Sequence, residues 1–365
     1  MKDLMVKKAG DFSYEITFQK DFNHISEYLK KLNLNGQKVC IVTDTNVAPL
    51  YLEELKAQIC DVFSVITDFI FLAGEENKKL DVIRDIYEHL INNHFERKDI
   101  LLALGGGVVG DMTGFAAATY LRGIEFVQVP TTLLAQVDSS VGGKTGVDFD
   151  SYKNMVGAFH QPSLVYMNMK TLNTLPDVEF SCGMGEVLKS ALIRDDSFYE
   201  WTINHMSEIM DREEDVLTSM VSRCCLIKKT VVENDPTEQG ERAILNFGHT
   251  IGHAIEKYMN FELLHGQCVA LGTCAAAYIS YLRGYLTDEE LYEIRDMNVG
   301  FDLPIAVDFN DASAILDITK SDKKMENGKV KFVLLKSMGH AIIVHDVTDE
   351  EILEGINFVK GVMNE

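Results

Sequence analysis

His249 and His253 lie four residues apart in the stretch Arg242-Ala243-Ile244-Leu245-Asn246-Phe247-Gly248-His249-Thr250-Ile251-Gly252-His253, so a helix carries both on one face. Twelve residues on, Leu263-Leu264-His265-Gly266 offers a third imidazole at the head of another helix. Upstream, Gly183-Met184-Gly185-Glu186-Val187-Leu188-Lys189 sets a carboxylate and an amine at i and i+3. Two neutral imidazoles and one carboxylate, with a fourth position open, make a catalytic zinc set. Spacing alone pairs His249 with His253, in the manner of H-E-x-x-H. Position 250, however, is Thr, so a metalloprotease would lack its general base. A lone histidine on such a face is more often a core or helix-face residue; three of them with one glutamate point to a metal.

A second group of residues suits anions. Ile100–Leu104 reads as a strand that runs into Gly105-Gly106-Gly107-Val108-Val109-Gly110-Asp111, and a small-residue helix is expected over Thr113–Leu121. Absent side chains there let backbone amides and a helix N-terminus approach a pyrophosphate. A tight strand–helix turn packed on a sheet gives the same pattern, and the motif sits about 100 residues into the chain, not on a first strand. Ser139-Ser140-Val141-Gly142-Gly143-Lys144-Thr145 ends like a P-loop, but Asp138 occupies the required first glycine position, so that motif is rejected. Lys144, Lys153 and Asn154 lie in the glycine-rich loop after Pro130-Thr131-Thr132-Leu133-Leu134-Ala135 and could hold a phosphate.

These residues need a scaffold. The chain has 365 residues, 46% of them hydrophobic and 25% charged, which suits a globular protein of two domains. A net charge of −22 argues against a nucleic-acid or anionic-membrane partner and makes local lysine and arginine clusters more telling. The seven cysteines contain no C-x-x-C pair, so neither a disulfide framework nor a four-cysteine zinc site is expected. No apolar leader core is visible over Met1–Gly10, and the apolar tract Cys268–Leu282 is too short for a bilayer. A cytoplasmic location is expected.

Strands are expected at Lys38–Thr43, Val65–Leu72, Glu125–Val129 and Ser163–Met167 besides Ile100–Leu104, with amphipathic helices at Leu50–Cys60 and Leu80–Asn92. That alternation implies a mainly parallel sheet with helices on its faces. Past about Leu175 the pattern turns helical, at Glu186–Ile193, Asp215–Asn234, Phe247–Met259, Gly266–Leu282 and Asp288–Val299, with strands only at Lys331–Leu335 and Ala341–Val344. The fold expected is an α/β nucleotide-binding domain over residues 1–174, then a mainly α-helical domain over 175–365 that binds metal and substrate. The active site is expected in the cleft between them.

Taken together, Gly105–Asp111, Leu121-Arg122-Gly123-Ile124, Pro130–Ala135, Gly142-Gly143-Lys144, Lys153-Asn154, Gly185-Glu186 to Lys189, Leu245–His253, His265-Gly266 and Asp322-Lys323-Lys324 follow the order found in one family. Over nearly its whole length the sequence resembles the 3-dehydroquinate synthases. The resemblance implies that Glu186, His249 and His265 hold zinc (or cobalt), which overrules the spacing-based pair and leaves His253 to act on the substrate or its phosphate. It places NAD against Asp44, Asn46, Glu75, Lys78, Gly106, Gly107, Val108, Asp111, Thr131, Thr132, Lys144, Lys153, Thr171 and Thr174. Substrate contacts carried over are Asp138, Lys144, Asn154, Lys189, Lys228, Arg242, Asn246, His253 and one of Lys323 or Lys324. Arg122 resembles the arginine that family members extend across a homodimer interface. The chain departs from the family at Gln267-Cys268 and Pro236, which bears on the orientation of His265 and not on an assigned ligand.

The implied substrate is 3-deoxy-D-arabino-heptulosonate 7-phosphate, a small molecule with an anion at each end. Transient oxidation of its C5 alcohol by NAD acidifies the C6 proton, phosphate leaves, the hydride returns, and an intramolecular aldol step closes the ring. The substrate phosphate could itself remove the C6 proton. Arg242, Lys228 and Asn246 suit the carboxylate, and Lys144, Asn154 and the Lys323/Lys324 pair the phosphate. Closure of the cleft on substrate is expected. The rival readings are a sugar phosphate cyclase for a substrate without the carboxylate, a polyol dehydrogenase of the glycerol dehydrogenase type, and a catalytically silent nucleotide-fold binding protein.

Overall fold

The computed structural model describes residues 3–8, 11–34, 36–150, 152–321, 325–326 and 329–361. The chain forms two compact units, Met1–Leu175 and Pro176–Glu365. In the first, β1 (Leu4–Lys8), β2 (Asp11–Gln19), α1 (Ile25–Lys31), β3 (Lys38–Asp44), α2 (Ala48–Ile59), β4 (Val65–Phe71), α3 (Leu80–Asn92), β5 (Ile100–Gly105), α4 (Gly107–Thr119), β6 (Glu125–Pro130), β7 (Lys144–Phe149), β8 (Tyr152–Phe159) and β9 (Leu164–Asn168) follow in order. One seven-stranded sheet has the order β1-β2-β9-β6-β5-β3-β4, parallel except for the antiparallel β1–β2 pair.

The central strands are apolar without a break because both faces of the sheet are covered. Side chains of a strand alternate, and the two cores show it: Val39 and Ile41 of β3 join Leu102 and Leu104 of β5 beneath α1 and α2. Cys40 and Val42, with Leu101 and Ala103, instead meet Ile83, Ile86 and Leu90 of α3 and the small-residue helix α4. From β3 the chain moves outward to β4, then returns to lay β5 on the other side of β3. The sheet therefore has a topological switch point between β3 and β5, and the carboxyl ends flanking it are Asp44 and Gly105.

Two expectations are corrected here. The helix expected over Thr113–Leu121 begins at Gly107 and ends at Thr119, because the glycines that open it are helical. Lys144 and Lys153 are not loop residues: β7 and β8 form an antiparallel hairpin that carries both.

The second unit comprises α5 (Asp177–Arg194), α6 (Asp196–Asn204), α7 (Met206–Met210), α8 (Glu214–Asn234), α9 (His249–Tyr258), α10 (His265–Leu282), α11 (Asp288–Gly300) and α12 (Ala312–Ser321). After these come the short pair β10 (Met325–Glu326) and β11 (Lys329–Val330), the hairpin β12 (Phe332–Ser337) and β13 (His340–Val344), and α13 (Asp349–Phe358). Helix α10 is central and packs on α5, α9, α11 and α13. Among the described residues, no helix is long and apolar enough to cross a membrane.

Candidate metal and nucleotide sites

Glycines bring the helical site together. A Cβ on Gly266 would stand 1.9 Å from the carbonyl oxygen of Cys182, and one on Gly185 would stand 2.7 Å from the carbonyl oxygen of Gly266, so α5 and α10 approach backbone to backbone. Likewise a Cβ on Gly272 would stand 1.8 Å from the Gly248 oxygen and one on Gly252 2.5 Å from the Cys268 oxygen, which fixes α9 against α10. Gly248 also turns the chain into α9 through a left-handed φ of 76°. Each of these contacts lies next to a site residue: Gly185 beside Glu186, Gly248 beside His249, Gly252 beside His253, and Gly266 beside His265.

The result is a buried cluster. Glu186 Oε1 lies 3.4 Å from both His249 Nε2 and His265 Nε2, and Lys189 Nζ contacts Oε2. His249 donates from Nδ1 to the Phe247 carbonyl at 3.0 Å, which turns its Nε2 lone pair toward Glu186. Glu186 is 1% exposed, yet neither of its oxygens completes a hydrogen bond. Lys189 offsets that buried charge at Oε2, and a cation coordinated at Oε1 between the two imidazoles would satisfy the other oxygen. Ring nitrogens of His249, His253 and His265 also lie within 4.8 Å of one another, so geometry alone admits His253 as a ligand too.

The electrostatics agree with a cation site. Burial would raise the Glu186 carboxyl, but Lys189 and the two imidazoles outweigh it and hold the group well below 4.5. Burial, with Lys189 adding to it, keeps His249 below its ordinary value and so neutral, as a ligand must be. Burial pulls His265 down as well, but Glu186 and Glu256 overcome this and raise it to about 9. Two carboxylates there favour positive charge at this imidazole, whether carried by a proton or a metal.

Other polar residues expected at the site also lie in the second unit. Lys189, Lys228 and Arg242 are buried, which is unusual for cations and typical of sites that grip anions. Arg242 lies on the 3₁₀ turn Glu241–Asn246; its Nη1 donates to the Pro236 carbonyl at 2.7 Å, and its main-chain amide donates to Asp235. Asn246 Nδ2 donates to Glu238 Oε1 at 2.7 Å. Lys323 and Lys324 lie outside the described residues.

In the first unit, the carboxyl ends of β3, β5 and β6 collect most of the expected nucleotide residues. Asp44 Oδ1 accepts from the amides of Asn46 and Val47, both at 2.9 Å, and Asn46 is exposed on that turn. A Cβ on Gly106 would meet Thr132 Cγ2 at 3.0 Å and one on Gly107 would meet Ser139 Oγ at 3.2 Å. The glycines thus also serve close packing against the Thr131–Ser139 segment, where Thr131 donates its amide to the Gly105 carbonyl. Val108 lies in the first turn of α4, and Asp138 lies in the π turn Ala135–Ser139. Lys78, fully buried, donates to Asp111 Oδ2 at 2.7 Å and to Asn154 Oδ1 at 2.6 Å, with Glu75 at 3.9 Å. Burial would lower its pKa; Asp111 and Glu75 outweigh that and raise it. Lys153 shares Glu75 at 3.9 Å, and Lys144 opens β7 as an exposed residue.

Thr171 and Thr174 are engaged inside this unit. Thr171 Oγ1 donates to the Asn168 carbonyl and accepts from Gln136, while Thr174 Oγ1 contacts the Tyr51 hydroxyl. Arg122 is exposed on a turn where Leu121, Arg122 and Gly123 all have positive φ.

Sequence reasoning missed Glu256, a 2% exposed carboxylate on α9 whose Oε2 lies 3.9 Å from His265 Nδ1. Its signal was available: 249, 253 and 256 form an i, i+4, i+7 stripe.

Comparisons with known proteins bear on these two sites. Residues 68–182 match the family model described as 3-dehydroquinate synthase N-terminal, and residues 183–325 that described as 3-dehydroquinate synthase C-terminal. A 3-dehydroquinate synthase of Acetivibrio thermocellus is 44% identical over 95% of this chain and 96% of its own length. Among solved structures, a 2-epi-5-epi-valiolone synthase from Streptomyces hygroscopicus with NAD+ and Zn2+ bound has a TM-score of 0.88 at 26% identity, covering 98% of this chain and 99% of that one. A 2-deoxy-scyllo-inosose synthase complexed with carbaglucose-6-phosphate, NAD+ and Co2+ shares the fold, with a TM-score of 0.86 at 24% identity over 97% and 99% of the two chains.

Proposed function

The chain belongs to the 3-dehydroquinate synthase family, and we propose that it is an NAD- and metal-dependent lyase that converts 3-deoxy-D-arabino-heptulosonate 7-phosphate to 3-dehydroquinate and phosphate. The observation that carries the reading is the buried Glu186 carboxylate, without hydrogen bonds and facing two imidazole Nε2 atoms, in a chain of this family. Glu186, His249 and His265 would hold zinc or cobalt, and the related structure solved with NAD+ and Zn2+ supports that pairing of cofactors. When bound, the metal polarises the substrate's secondary alcohol and NAD accepts and later returns its hydride.

The remaining work falls to side chains of this chain. Asp44, Asn46, Glu75, Lys78, Gly106, Gly107, Val108, Asp111, Thr131, Thr132 and Lys153 bind and orient the dinucleotide at the switch point, with the α4 N-terminus toward its phosphates. Arg242, with Lys228 and Asn246, orients the substrate carboxylate through its planar fork. Lys144, Asn154 and one of Lys323 or Lys324 neutralise the phosphate, Asp138 and Lys189 bind substrate hydroxyls, and His253 moves a proton at an imidazole nitrogen. Thr171 and Thr174 support the NAD site from within the unit, as their hydrogen bonds to Asn168 and Tyr51 suit. The reading also carries a homodimer, with Arg122 reaching the neighbouring phosphate site, and a cytoplasmic location.

The test is release of inorganic phosphate from the heptulosonate phosphate with NAD far below stoichiometry, with and without a chelator. Many turnovers per NAD, abolished by the chelator and restored by zinc or cobalt, are expected. Net NADH accumulation on glycerol without phosphate release would assign the chain to the polyol dehydrogenases.

A further inference from the structure

His265 is an imidazole between two buried carboxylates. Its Nε2 faces Glu186 Oε1 at 3.4 Å, and its Nδ1 faces Glu256 Oε2 at 3.9 Å. The other imidazole of the cluster is oriented differently, by a hydrogen bond from its Nδ1 to the Phe247 carbonyl. Among the described residues His265 has no main-chain partner of that kind; it opens α10 and is held there by Gln267 Oε1 capping the Leu264 amide at 3.0 Å. Glu256 is 2% exposed and shares a helical stripe with His249 and His253, so its charge points to the same side of α9 as their rings.

We infer that Glu256 is a positioning residue for the metal: its charge keeps the His265 proton on Nδ1 and so leaves Nε2 as the coordinating nitrogen. At 3.9 Å the contact is too long for a hydrogen bond and acts through charge, which still selects the tautomer. Burial makes that charge felt, because little water screens it. The outer partner of a ligating imidazole fixes ring orientation and raises ligand basicity, and its loss weakens metal binding about 10- to 100-fold. The inference rests on the metal set of the preceding section and adds a residue to it that does not touch the metal.

The experiment is competition for zinc against a chromophoric chelator, with the visible spectrum of the cobalt form as a second readout. Proteins are the wild type, Glu256→Gln and Glu256→Asp. Glu256→Gln keeps the shape and removes the charge; zinc affinity should fall about 10- to 100-fold and the cobalt bands should shift. Glu256→Asp keeps the charge and should retain affinity between the two. Metal-free melting temperatures confirm that each variant is folded, and a purely structural role would lower them without moving the spectrum. Wild-type affinity and an unchanged cobalt spectrum in a folded Glu256→Gln protein overturn the inference alone. Failure of the wild type to bind zinc or cobalt overturns the metal set as well.

Discussion

Gly266→Ala tests whether glycine contacts set the spacing of the metal site. The new Cβ would lie 1.9 Å from the Cys182 oxygen, 2.6 Å from its carbonyl carbon and 2.8 Å from its Cα. All three are main-chain atoms, so no side-chain rotation relieves the overlap. A carbon–oxygen contact needs about 3.3 Å, so α5 and α10 must separate by about 1.4 Å. That displacement passes directly to Glu186 and His265, each of which is adjacent to a contact glycine. Metal–ligand distances tolerate about 0.2 Å, several times less than the shift. Overpacking of this kind costs about 1–3 kcal/mol, or a melting temperature lower by about 2–12 °C for a unit of this size. Zinc bound after dialysis should fall to a small fraction of one equivalent, while circular dichroism stays helical. Gly284→Asn is the control, because Gly284 has φ 69° but nothing within 4 Å of its would-be Cβ. Full zinc occupancy and wild-type affinity in Gly266→Ala would refute the packing argument.

Two further outcomes follow from the ion pairs. Lys78→Met removes the buried ammonium that joins Asp111 to Asn154 and should cost about 3–5 kcal/mol in urea unfolding, with weaker NAD binding by fluorescence titration. A loss below about 1 kcal/mol with unchanged NAD affinity would contradict that role. Arg283 holds Glu351 through two hydrogen bonds of 2.6 and 2.8 Å and keeps its carboxyl below 4.5, outweighing the opposing effect of burial. A carboxyl depressed by folding adds stability above its unfolded pKa and loses it as pH falls through the folded value. Arg283→Met should therefore cost up to about 1 kcal/mol near neutrality, this being a partly exposed pair, and progressively less below pH 4.5. A deficit that grows on acidification has the wrong sign.

Much of the first unit was legible because parallel strands buried on both faces read as unbroken apolar runs, as Lys38–Thr43 and Ile100–Leu104 do. The β7–β8 hairpin was not. Gly146 and Gly157 face each other across it, and Phe149, Tyr152, Met155 and Phe159 leave aromatic and apolar groups exposed, so neither composition nor alternation marks it as a strand pair. The place of the glycine turn was puzzling in sequence; strand order explains it, since β5 lies beside β3 at the switch point although about 60 residues separate them. In the helical unit, helical spacing rightly put His249 and His253 on one face. Nothing in linear spacing brings His265 or Glu186 to them, because the close approach of α5, α9 and α10 depends on which glycine meets which backbone. Glu256 continues the helical stripe of His249 and His253, but as one acid in a chain of 56 acidic residues it draws notice only once burial singles it out.

The most direct check is metal stoichiometry by plasma mass spectrometry on four dialysed variants, Glu186→Gln, His249→Ala, His253→Ala and His265→Ala. Near one equivalent of zinc should survive only in His253→Ala, with phosphate release impaired in all four. Zinc lost from His253→Ala but kept by Glu186→Gln would mean a three-histidine site and would contradict the set of Glu186, His249 and His265.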